Sequence, residues 1–153
     1  MGLDCSHDAW DGAYSAFNSF RQVVCAAVGG SFPPHNYPGF GRGTITRDDL
    51  LGASKPLDNN MVYFGDPEIA EDFDIDEGIV ELLSHSDCDG EISPEMCKKV
   101  ADGLEKIIPK ISRMTGTPWS GHIESNGGYV AVTERFINGC REAYKNNEPL
   151  EFY

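Results

Sequence analysis

Apolar residues recurring at three- and four-residue steps mark helices with one buried stripe, and the chain shows this pattern four times. Tyr14, Phe17, Phe20, Val24 and Val28 predict a first helix over residues 11–28, closed by Gly29-Gly30, where a left-handed residue ends a helix with least strain. Ile79, Val80, Leu82 and Leu83 predict a short helix over 76–85. Ser93-Pro94-Glu95 opens a third: serine caps, proline suits the first helical position, and glutamate complements the helix dipole. Met96, Val100, Leu104, Ile107 and Ile111 form its inner face, with its end expected near Ile108 because Pro109 kinks or stops a helix. Tyr129, Val132, Phe136, Cys140 and Tyr144 predict the last helix, over 129–146.

Between these stripes the pattern breaks. Residues 31–44 read as a loop dense in Pro and Gly, and Asp48-Asp49 favour the first turn of a short helix near Thr46. Met61-Val62-Tyr63-Phe64 is the best strand candidate. Residues 115–128 read as a second Gly-rich loop, containing Trp119 and His122. With no repeat and no linker, the expectation is one domain, 1–153. Its class is mostly α (α+β with minor strand content): a single compact helical domain with long Gly/Pro-rich loops.

Composition narrows the function. The 153 residues suffice for a core without disulfide or metal staples. Lys and Arg number 12 against 25 Asp and Glu, a net charge of -13, which argues against direct nucleic-acid binding. No run of about 18 apolar residues exists, so no membrane span is expected. The opening residues lack the basic and apolar segments of a secretory signal. Five cysteines without a Cys-x-x-Cys pair fit a reducing cytoplasm, with Cys25 and Cys140 as small buried hydrophobes. The charge is also local: residues 61–96 hold 12 acidic and no basic residues. That stretch reads as a solvated surface, a cation site, or a face that docks on a basic partner.

His85-Ser86-Asp87-Cys88-Asp89-Gly90-Glu91-Ile92-Ser93 is the most specific stretch, and it resembles the loop of a calcium-binding EF-hand. Gly90 takes the sharp-turn position, Asp87 and Asp89 match carboxylate ligands, and Ile92 matches the buried aliphatic. The pattern departs at both ends: His85 stands at the first ligand position and Met96 at the bidentate glutamate, removing hard oxygens that calcium needs. His85, Asp87 and Asp89, joined by His7, are instead the candidate ligands for a divalent transition metal. Such a site forms only if distant histidines converge. Tyr37, Arg42, Trp119 and His122 are the candidate ligand-binding residues, with Gly39-Phe40-Gly41-Arg42-Gly43 able to wrap amides around a phosphate. Trp10 and Phe40 add aromatic surface that suits stacking on a base.

The opening Met-Gly-Leu-Asp-Cys-Ser-His-Asp, the Tyr14-Ser15-Ala16-Phe17-Asn18 helix, the His-Ser-Asp-Cys-Asp-Gly turn and Gly127-Gly128-Tyr129 are similar to those of small uncharacterised phage and bacterial proteins. That resemblance implies an accessory protein of the host-cell cytoplasm. The leading expectation is a non-enzymatic inhibitor that covers a basic host (defence) protein with residues 66–95 or sequesters a small nucleotide signal. The alternative is a metal-dependent hydrolase on the His85/Asp87/Asp89 turn. A third reading is an assembly component that forms a homo-oligomer.

Overall fold

The computed structural model describes residues 2–28, 76–86, 89–114 and 117–153. The loop over 31–44, the helix near Thr46 and the strand at Met61–Phe64 lie outside the described residues, as do Tyr37, Arg42 and Asp87. Among the described residues there are five α-helices and four short strands, a mostly α fold with a minor sheet. In chain order they are β1 (Gly2–Cys5), β2 (Trp10–Ala13), α1 (Tyr14–Ala27), α2 (Glu77–Ser84), β3 (Glu91–Ile92), α3 (Pro94–Arg113), α4 (Gly121–Ser125), α5 (Tyr129–Lys145) and β4 (Leu150–Glu151).

The first helix begins three residues later than its apolar stripe predicts, because Trp10–Ala13 pair with Gly2–Cys5 as an antiparallel hairpin. Burial continues round most of the last two turns of α1, including Val23, Cys25, Ala26 and Ala27, so it is a central helix rather than a half-exposed one. Trp10, Phe17, Phe20, Phe136 and Phe152 interlock around it, with Trp10 edge-on to Phe17 at 5.0 Å. Aromatic pairs at such spacings and tilts add to the burial term. Trp10 is 2% exposed, so it is a core residue and not a stacking platform.

Asp76 and Ser93 cap α2 and α3 by accepting the amides of Ile79 and Met96. The two helices pack closely because Gly78 lies on the backbone of Lys99, where a Cβ would overlap it. Pro109 does not end α3, which continues to Arg113. Ile107 and Ile111 on either side of it are buried, and that anchorage outweighs the one backbone bond proline cannot make. The second Gly-rich loop contains a helical turn, α4, capped by Ser120. On α5 the inner face passes through Ala143, leaving Tyr144 46% exposed, because the stripe drifts at 3.6 residues per turn.

The sheet forms from the two ends of the chain. An isolated bridge, Cys5 to Phe152, and a reciprocal pair of backbone bonds between Asp4 and Tyr153 set the final residues beside β1. On its other side β4 pairs with β3, placing Leu150 against Ile92 and Glu151 against Glu91. Two two-stranded sheets, β1-β2 and β3-β4, are thus joined through this bridge, with Leu3, Cys5, Trp10, Ile92, Leu150 and Phe152 inward.

Candidate functional site

The α2–turn–α3 unit has the helix–loop–helix form its sequence resembles. Gly90 takes φ 91° at the sharp turn, a conformation only glycine adopts without strain, and β3 follows it directly. His85, at the first ligand position of that loop, is turned inward. It is 9% exposed and stacks on Phe152 at 4.1 Å. Its Nδ1 lies 2.8 Å from Ser86 O and its Nε2 lies 3.1 Å from Glu91 O. Glu91 is the position whose carbonyl ligates calcium in an EF-hand, and here that carbonyl faces imidazole. Both ring nitrogens thus face backbone carbonyls rather than an open position where a metal could bind. Asp89 is exposed at the tip of the turn.

Arg21 of α1 holds this turn from beneath. It is fully buried, its Nη1 donates to His85 O at 2.7 Å and to Leu82 O at 3.4 Å, and its guanidinium lies 4.9 Å over the Phe17 ring. A cation at the C-terminal end of α2 is favourably placed against carbonyls that lack helical partners.

His7 is elsewhere. The turn between β1 and β2 places two successive non-glycine residues, His7 (φ 58°) and Asp8 (φ 57°), in the left-handed region. Ser6 Oγ lies 3.0 Å from His7 Nδ1 and accepts the Glu151 amide at 2.8 Å, while His7 Nε2 is 3.8 Å from Glu148. Arg135 donates to the Asp8 carbonyl at 2.8 Å and to its carboxylate at 2.6 Å. His7, Asp8 and Arg135 border an open cleft of about 340 Å³ lined also by Glu134, Asn138 and Glu142. Its floor is tight: Gly139 touches Ala9, where a Cβ would overlap. His122 packs its ring on Trp10 at 5.4 Å and over the backbone of Gly12. Trp119 projects outward, 81% exposed. The structure therefore does not bring His7, His85 and His122 together, and no group of three His, Cys, Asp or Glu side chains with metal-binding geometry exists among the described residues.

What it does assemble is an acidic sheet face. Asp4 pairs with Asp11 across β1–β2, and Glu91 with Glu151 across β3–β4. The backbone bonds of Asp4 go to Tyr153, and the Phe152 amide goes to Gly90 O, so both acidic pairs occupy non-hydrogen-bonded sites. Side chains approach most closely at such sites. The Asp4 carboxyl is held above its ordinary range, first by its hydrogen bond with Asp11, then by burial and the Asp11 charge. Glu91, Glu95 and Glu151 make no ion pair among the described residues. Tyr153, 63% exposed, stands beside them on the same face.

By contrast, several acids on the α2–α3 pair are engaged. Asp76 caps α2 and faces Lys106 at 3.9 Å, Glu77 pairs with Lys99, and Asp102 binds Lys98 and Arg141. Sequence reading pointed to the acidic run but missed Asp4, Asp11 and Glu151, which join the face only through strand pairing. The period-two alternation of Leu3, Asp4 and Cys5 was the one available signal. Compared with protein-family models, with curated proteins and with solved structures, the chain matches none.

Proposed function

We propose that this protein is a non-enzymatic binder whose acidic sheet face, Asp4, Asp11, Glu91 and Glu151 around Tyr153, docks on a basic surface of a partner protein. The observation that carries this reading is the pairing of like charges directly across strands, twice, with no ion pair to either among the described residues. Such pairs destabilise a sheet on its own, and a partner that supplies Lys or Arg turns the repulsion into attraction. The exposed tyrosine adds an amphipathic ring of the kind enriched at interfaces. The partner we propose is a host protein, with a defence component as the first candidate.

Two competing readings draw less support. Nucleotide sequestration rests on Tyr37 and Arg42, outside the described residues, and on His122, whose ring is committed to packing on Trp10. A metal-dependent hydrolase needs His85, whose two ring nitrogens face carbonyls.

The test is quantitative capture from the host cell by the intact protein and by a variant carrying Asp4→Asn, Asp11→Asn, Glu91→Gln and Glu151→Gln. We expect a basic protein to be enriched by the wild type, and enrichment to fall at least about tenfold in the neutralised variant, which melts no lower. Equal capture of the same protein by both would refute this assignment.

A further inference from the structure

Asparagine followed by glycine occurs twice in the chain, at Asn126-Gly127 and at Asn138-Gly139, and the fold surrounds the two differently. Glycine has no side chain to hinder the approach of its own nitrogen to the preceding carboxamide, so both steps carry the same chemical susceptibility. Asn126 ends α4, a helix of five residues whose buried residue is Ile123, and both Asn126 and Gly127 are exposed. The turn is held by Asn126 Nδ2, which donates to His122 O at 2.8 Å, by the Gly127 amide to Glu124 O at 3.2 Å and by the Gly128 amide to Ile123 O at 2.9 Å. Asn138 lies instead in the middle of α5. Its neighbour Gly139 is pressed on Ala9, where a Cβ would overlap, and Ile137 and Cys140 on either side of the step are buried.

We infer that Asn126 is a site of spontaneous deamidation in the native protein, that Asn138 is shielded from it, and that the conversion releases α4. The Gly127 nitrogen attacks Asn126 Cγ, the Cγ–Nδ2 bond breaks, and the side-chain nitrogen leaves as ammonia with the Gly127 amide proton. Water then adds to either carbonyl of the cyclic imide, one C–N bond breaks, and the Gly127 nitrogen regains a proton. The products are aspartate and its β-linked isomer, and nothing is oxidised or reduced. Asn126 ψ is 13°, so the chain must first rotate to bring the Gly127 nitrogen to the side-chain carbon. That rotation gives up the bonds to His122 O and Glu124 O, an opening confined to one exposed turn. The same rotation at Asn138 breaks α5 in its middle and pulls its inner face from the core, which is close to global unfolding. Once formed, the carboxylate no longer donates to His122 O and lies against the C-terminal carbonyls of α4, where negative charge is unfavourable. In the β-linked isomer an added backbone methylene also shifts Gly127 and Gly128 away from their acceptors. Because α4 carries His122, whose ring rests on Trp10 and over Gly12, its release loosens the cover of β2.

The experiment incubates the full-length protein at mildly alkaline pH, natively and in urea, then cleaves after glutamate at mildly acidic pH to suppress conversion during digestion. Peptides 125–134 and 135–142 each hold one asparagine, Asn126 and Asn138 respectively. From the native sample we expect peptide 125–134 to split into aspartyl and isoaspartyl forms at least about tenfold faster than peptide 135–142 converts. In urea the two rates are expected to agree within about twofold, because no fold then separates them. Equal native rates, faster conversion of peptide 135–142, or native protection of Asn126 as complete as that of Asn138 would each overturn the inference. The converted native protein, separated by its added negative charge, is then compared with the unconverted form by hydrogen exchange. Faster exchange over residues 121–128 is expected, and unchanged exchange there would contradict the release of α4.

Discussion

Asp4 spends both its backbone groups on Tyr153, and this leaves its side chain at the close-approach site opposite Asp11. Its carboxyl then titrates above its unfolded value of 3.8, with the Asp11 hydrogen bond as the main cause. The native state therefore binds the proton more tightly than the unfolded chain. Below the unfolded value both states are protonated and there is no penalty. As pH rises through the folded value the penalty develops and stability is lost. Asp11→Asn is accordingly expected to raise the melting temperature at pH 7, and the gain is expected to vanish as pH falls toward 3. Paired melts of the two proteins across that range check it, and a gain that persists at low pH would assign the effect to something other than this charge pair. Arg21 makes a complementary case. Its replacement by Ala leaves the carbonyls of Leu82 and His85 without their donor and opens a hole beside Phe17. A loss of about 3 kcal/mol or more is expected in denaturant unfolding.

The elements divide by how local their causes are. The four main helices were legible because each carries its own apolar stripe and, for α2 and α3, its own capping residue. The hairpin was not, because His7 and Asp8 adopt left-handed conformations that a sequence normally assigns to Asn or Gly. Strands β3 and β4 pair over two residues each and from distant parts of the sequence, which leaves no periodicity to read. Pro109 shows the limit of a local rule, since Ile107 and Ile111 carry the helix past it. Pro109→Ala is expected to stabilise the protein by about 1–3 kcal/mol, because the exposed site gains a backbone bond and loses a clash. Leu150→Ala should cost about 2–4 kcal/mol, as Leu150 is fully buried against Ile92 in the strand next to the bridge between the two sheets. Hydrogen exchange should then quicken first at the amides of Asp4, Phe152 and Tyr153, which a merely local cavity would leave protected.

At the scale of the whole molecule, the carboxylates among the described residues include two groups with different surroundings. On the helices, Lys98, Lys99, Lys106 and Arg141 answer the nearby carboxylates. On the sheet no basic residue among the described ones does so, although Glu91 is the only one of its four carboxylates that belongs to the acidic run at 61–96. The run was visible in the sequence, whereas the face required the fold. Asp76, within the run, is committed to capping and to Lys106, so reversing its charge would test helix stability rather than docking. The measurement that bears most directly on the docking face is a carboxyl NMR titration of the intact protein with an arginine-rich peptide at low salt. The account predicts shifts concentrated at Asp4, Asp11, Glu91 and Glu151, with the Tyr153 ring following, and their loss as salt rises past the screening range. Shifts of equal size at Glu77, Asp102 and Glu105, or none on the sheet, would contradict it.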